Sequence, residues 1–121
     1  MKKLHVKNEG VIYRNPRPGY KAECAYIPNI VPLSGQELLC FYRLGQAVYS
    51  HDGVIAQARS RDGGLTWTRE LPVWDPRNDT TSYNYSAPHG TLLSDGSLLL
   101  VAFRMDASDP EQELFNLKTG G

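Results

Sequence analysis

The stretch Pro28–Tyr42, PNIVPLSGQELLCFY, returns 60 residues later as Pro88–Ala102, PHGTLLSDGSLLLVA. Pro28/Pro88, Leu33/Leu93, Ser34/Ser94, Leu38/Leu98 and Leu39/Leu99 coincide. Each copy reads as strand, tight turn, strand. Asp95-Gly96 suits the second turn, because Gly96 can take positive φ and Asp95 can bond nearby backbone. A repeat of this length constrains the fold strongly, since one unit cannot bury its apolar face alone and must stack on a neighbour. The rest of the chain agrees with strands. Apolar runs are short and bounded by Gly, Pro, Ser, Asp and Asn, and 11 Gly with 8 Pro supply many turns. The expected strands are Gly10–Arg14, Ala25–Val31, Glu37–Tyr42, Val54–Ser60, Thr66–Val73, Ala87–Leu93 and Ser97–Arg104. The tail can start a helix at Pro110, with Asp109 as cap and Glu111 and Glu113 in the first turn; strand or loop is the other reading there.

The first copy runs on through two more strands. That makes a four-stranded antiparallel unit over about Ala25 to Val73, followed by an incomplete unit over about Ala87 to Arg104. Such a unit repeated every 40–60 residues or so is the mark of a β-propeller. The alternative is a β-sandwich with two unrelated hairpins. On the propeller reading the fold is all-β, and residues 1–121 form the N-terminal part of one propeller domain. They hold about one and a half blades, where propellers have four to eight. The remaining blades would lie outside this chain, or the ring would close by oligomerisation.

The two later strands of the first unit are joined by SRDGGLTW, Ser60 to Trp67. The Asp62 carboxylate can accept backbone N–H groups of its own turn. Gly63 and Gly64 admit backbone angles that a Cβ obstructs. The Thr66 hydroxyl can bond back to the turn, and Trp67 offers a large surface to bury. The octapeptide resembles the Asp-box, S-x-D-x-G-x-T-W, of the sialidase (neuraminidase) superfamily and other BNR-repeat propellers. Ser60, Asp62, Gly64, Thr66 and Trp67 fill its defined positions. The resemblance implies a six-bladed sialidase-like fold in which this turn is a structural clasp on the face away from the active site.

In an up-and-down blade, alternate connections share a face. The turns Ser34–Gln36, Ser60–Trp67 and Ser94–Gly96 therefore group at one end. Tyr20–Tyr26, Arg43–Gly53, Trp74–His89 and Arg104–Asp106 group at the other. The second end carries residues suited to sugar chemistry. The resemblance sharpens this. Sialidases open their first blade with a motif like F/Y-R-I-P, whose arginine grips a carboxylate. AYIPNI keeps Ile27 and Pro28 but places Tyr26 where the arginine belongs, and YRNP at Tyr13–Pro16 keeps Arg14 in a less fitting place. The family's acid/base aspartate lies after the second strand, which assigns Asp52 of YSHDGVI as the catalytic residue. Tyr26, Arg43, His51, His89 and Arg104 are the candidate sugar-binding residues. Each has a plainer reading. Asp52-Gly53 can be a turn, His51 a solvated loop residue, and the tyrosines fillers between blades. Arg43 and Arg104, at the ends of equivalent strands, can pair with carboxylates.

Lys plus Arg and Asp plus Glu number 13 each. No basic surplus points to nucleic acid, and no apolar run approaches a membrane span. MKKLHVKNEG is not a secretory signal, and compartment is not legible. Cys24 and Cys40 follow no metal spacing and read as buried free thiols. No metal or cofactor motif is present. Asn78-Asp79-Thr80 and Asn84-Tyr85-Ser86 fit the glycosylation pattern by composition alone. The resulting expectation is part of an exo-acting glycoside hydrolase with the terminal sugar of a glycan as partner. The missing arginine at Tyr26 counts against sialic acid. A non-catalytic glycan- or protein-binding propeller is the alternative. The 121 residues alone are expected to lack hydrolase activity and to fold poorly, with open sheet edges.

Overall fold

The computed structural model describes residues 3–16, 23–71, 83–112 and 118. Among these the protein is all-β, with six strands and no helix. The strands are β1 (Cys24–Ser34), β2 (Glu37–Gly45), β3 (Val54–Ser60), β4 (Thr68–Glu70), β5 (Tyr83–Leu92) and β6 (Leu98–Asp106). β1-β2-β3-β4 form one antiparallel sheet in chain order, and β5-β6 form a second.

β2 explains why two layers form. Its sequence ELLCFYRLG is apolar at almost every position, so both faces need cover. Leu39 and Phe41 point one way and pack with Val31, Ile55 and Tyr85. Leu98, Leu100 and Ala102 of β6 close that side. Cys40, Tyr42 and Leu44 point the other way, onto Ala56 and Ala58 of β3. There the roof is Ile12, Tyr13 and Trp67, with the Tyr13 and Tyr42 ring centroids 5.9 Å apart. The second sheet approaches the first closely at Gly90. A Cβ there would meet Phe41 and Val31 side-chain atoms at 2.9 Å.

The 60-residue repeat is structural. In the first hairpin Tyr26 pairs Arg43 and Asn29 pairs Phe41, with an irregularity between. In the second, Ser86 pairs Phe103 and His89 pairs Val101, with the irregularity at the same place. Each bulge contains a positive-φ residue just before its proline, Ile27 at 51° and Ala87 at 47°. A side chain other than glycine rarely holds that conformation, so its appearance at matched positions marks one hairpin frame used twice.

Several expectations are corrected. Arg43 and Arg104 are not equivalent: the register matches Arg43 with Phe103 and Arg104 with Leu44. Consecutive strand residues point to opposite faces, so this one-residue offset separates their roles. Gly10–Arg14 is not a strand. It lies as a single segment on the first sheet, where a Cβ on Gly10 would collide with the Gly64 carbonyl. The tail makes one turn at Asp109–Gln112, with Glu111 N–H donating to Asp109 Oδ1 at 2.9 Å. Glu113, residues 72–73 and Asn78-Asp79-Thr80 lie outside the described residues. Cys40 is buried and Cys24 half-buried, and both are free. Burial pushes the Cys40 thiol up to about 11.

Candidate functional site

The two ends of the first sheet differ in kind. At one end, Ser60–Trp67 closes on itself. Asp62 Oδ1 accepts the Thr66 N–H at 2.9 Å and the Ser60 hydroxyl at 2.8 Å, while the Thr66 hydroxyl donates to Oδ2 at 2.5 Å. The Gly64 N–H donates to Ser60 Oγ at 2.8 Å, and Trp67 Nε1–H donates to the Gly64 carbonyl at 2.9 Å. Gly63 and Gly64 sit at φ 71° and 95°. The Gly63 N–H reaches the Gln36 carbonyl at 2.9 Å, tying this turn to the β1–β2 turn beside it. The bonds from Thr66 and Ser60 hold the Asp62 carboxyl down at about 2. Both of its oxygens are engaged within the turn, which gives this carboxylate a structural task.

At the opposite end, the β2–β3 connection folds around Arg43. This side chain is fully buried. Its Nη1 donates to the Ala47 carbonyl, and its Nη2 donates to the Ser50 carbonyl at 2.7 Å and to Asn84 Oδ1 at 3.2 Å. Loss of hydration lowers its pKa, and the nearby Asp52 works against that. Asn84 is also fully buried, so the Asn84-Tyr85-Ser86 triplet presents no acceptor for a glycan. The Tyr85 N–H donates to the Gly53 carbonyl at 2.9 Å. Loop 46–53 is thus fixed from both sheets.

Asp52 is exposed in that loop, and both its oxygens accept the Gln46 N–H, at 3.2 and 3.1 Å. A Cβ built on Gly45 would meet Arg43 Nη1 at 2.8 Å and Asp52 Oδ1 at 3.0 Å, so the two side chains flank that glycine. Half-buried Tyr26 stands opposite Arg43 in the register. Its hydroxyl pKa is raised, first by hydrogen bonding with Cys24 and then by lost hydration. Tyr26, Arg43 and Asp52 are therefore gathered at one end, with half-buried His51 in the same loop. His89 is elsewhere: it is exposed beside the second bulge, with Nδ1 3.2 Å from Asn29 Nδ2. Arg104 is exposed, and its guanidinium carbon lies 4.2 Å from the centre of the Tyr83 ring. It stands at a cleft of about 520 Å³ between the sheets, walled by Phe41, Ile55, Tyr85, Leu98, Leu100 and Ala102.

The Arg43 side chain, expected as a sugar contact, is enclosed by carbonyl oxygens and supports its own loop in this structure. Neither Arg43 nor Arg104 has a carboxylate within salt-bridge distance among the described residues; Arg59 does, with Glu37 at 2.8 Å and Glu70 at 2.6 Å. Asn84 is the residue the sequence did not reveal. Its partner is 41 positions away, and only the docking of the second sheet brings it there. Among the described residues no group of three or more His, Cys, Asp or Glu side chains is placed to hold a metal ion, and no helix is long and apolar enough to cross a membrane.

No protein-family model matches this chain, and neither the curated proteins nor the solved structures contain a match.

Proposed function

We propose that this chain is the N-terminal part of a sialidase-like, Asp-box β-propeller whose complete form cleaves a glycosidic bond at the end of a glycan. The observation that carries the reading is the Ser60–Trp67 turn. It joins the third and fourth strands of a four-stranded meander, and a second hairpin of the same frame packs on that meander. The rest of the ring would come from blades beyond those described. In this reading Asp52 gives a proton to the leaving oxygen and later takes one from water. Loop 46–53, held by Arg43, fixes its place at the end opposite the clasp. Tyr26 and His51 line the same end for a sugar. His89 and Arg104 contribute only if the sugar extends toward the second sheet.

A second reading is a propeller that binds glycan or protein without turnover. Enclosure of Arg43 favours it, because that guanidinium is not free to grip an anionic substrate. The test is release of the chromophore from a panel of aryl glycosides by the full reading frame, beside its Asp52→Asn variant. Turnover that falls by about 10²–10⁴-fold in the variant supports hydrolysis with Asp52 as the acid/base. Undiminished turnover removes Asp52 from that role. Glycan-array binding with no turnover on any substrate establishes the second reading.

A further inference from the structure

Arg43, Gly53 and Asn84 meet at one junction, although they come from β2, the loop after it and β5. The fully buried Asn84 offers Oδ1 to Arg43 Nη2 at 3.2 Å. Gly53 closes loop 46–53 against the same pair. A Cβ on it would overlap Asn84 Oδ1 and Arg43 Nη2 and would meet Arg43 Cζ at 2.7 Å. Its φ is not positive, so crowding is what asks for glycine there. In the register Asn84 stands opposite Met105, as Cys24 stands opposite Gly45 in the first hairpin. The repeat equivalent of Asn84 is therefore the half-buried Cys24, and the hairpin frame itself does not require an amide. Two buried donors of the junction, Arg43 Nε and Asn84 Nδ2, have no acceptor among the described residues. A buried donor left unmet costs stability, so the junction is not arranged for stability alone. What it does fix is the guanidinium that holds the Ala47 and Ser50 carbonyls of the loop.

We propose that Asn84 is a positioning residue for the end of the first sheet that carries His51 and Asp52. The donors of a guanidinium lie in a rigid planar fork, so one more acceptor restrains the orientation of the whole group. Asn84 Oδ1 supplies that acceptor from the second sheet. The oriented guanidinium gathers the Ala47 and Ser50 carbonyls, and the loop so gathered presents Asp52, whose carboxylate accepts the Gln46 N–H. The site therefore belongs to both sheets: the first carries its residues, and the second sets their place. The catalytic consequence rests on the reading of Asp52 as acid/base; the ordering of the loop does not.

The test is chymotrypsin cleavage after Tyr49, which is 61% exposed in that loop, with amide exchange at Leu39 of β2 as the measure of the core. Cleavage reads the population of the open loop. Asn84→Leu keeps the shape of the side chain and forfeits its oxygen. It should speed cleavage about tenfold or more, as loss of a hydrogen bond to a charged group does, and leave exchange at Leu39 as in the wild type. Asn84→Asp keeps the oxygen and forfeits no hydrogen bond, because Nδ2 has no acceptor among the described residues; it should be cleaved at the wild-type rate. Gly53→Ala crowds the junction from the loop side and should act like Asn84→Leu, which keeps the test decisive if the leucine variant does not fold. Unchanged cleavage in Asn84→Leu, or in Gly53→Ala should the leucine variant not fold, overturns the proposal. So does faster cleavage matched by an equal loss of protection at Leu39, which is general loosening, or an Asn84→Asp variant cleaved as fast as Asn84→Leu. Turnover is read separately: if cleavage follows Asn84 while Asp52→Asn leaves aryl glycoside turnover intact, the positioning stands and the acid/base reading falls.

Discussion

Asp62 shows how one side chain can be spent on structure. Three donors engage its carboxylate, and all three come from Ser60 and Thr66 of its own turn. Its pKa falls from the ordinary 3.8 to about 2, so its folded form prefers the charged state more than the unfolded chain does. The resulting stability is fully present above the ordinary carboxylate value and is lost as pH falls toward 2. Asp62→Asn should lower the melting temperature at neutral pH. It should also flatten the decline of melting temperature between pH 4 and pH 2, as followed by circular dichroism; an unchanged acid slope would remove Asp62 from that role. The residue types of this turn were legible in the sequence because they act on neighbours within a few positions. Arg43 was not. An arginine near a strand end reads equally as ligand or support, and its carbonyl partners are chosen by the path of a loop.

Between the hairpins, fit decides more than chemistry. Gly90 has no unusual backbone angle among those recorded, yet the second sheet comes so close that a methyl group there meets Phe41 and Val31 at 2.9 Å. The Asn29 side chain marks the same approach, accepting the Gly90 N–H at 2.8 Å. Gly90→Ala should cost about 1–3 kcal/mol of unfolding free energy by urea titration, the usual range for overpacking. A loss below that range would mean the sheets separate easily. Ile30, the repeat equivalent of Gly90, is 46% exposed and meets no such limit. Strand positions were readable from alternation and turn residues, and Val54–Ser60 agrees at both ends. β1 and β2 run further than expected, β4 covers only Thr68–Glu70 of the expected Thr66–Val73, and β6 is shifted to Leu98–Asp106. β5 starts at Tyr83 rather than Ala87, because Asn84–Ser86 gain burial only when the first sheet is beneath them.

At the scale of the molecule, the described residues form two sheets sharing one apolar layer. Val31, Leu39, Phe41 and Ile55 from the first sheet meet Tyr85 from the second, so neither sheet keeps its core without the other. Phe41→Ala should cost about 3–5 kcal/mol. In native-state amide exchange, protection at Leu44 and at Leu100 should fall together. A loss confined to one sheet would mean the layers open independently. The two-layer arrangement was visible in the sequence only through the repeat, and which faces meet was not. Five matching residues in fifteen reveal a shared hairpin, but the contact between copies depends on which side of β2 points to the second sheet.

β1 to β4 pair in strict chain order, each strand joining the one just made. A polypeptide leaving the ribosome therefore has every hydrogen-bonding partner of the first sheet in hand once Glu70 has emerged. Val31, Leu39, Phe41 and Ile55 then face water until Tyr83–Asp106 follows. The pace of translation between Glu70 and Asp106 sets how long a nascent chain shows that sticky face to chaperones and to neighbouring polysomes.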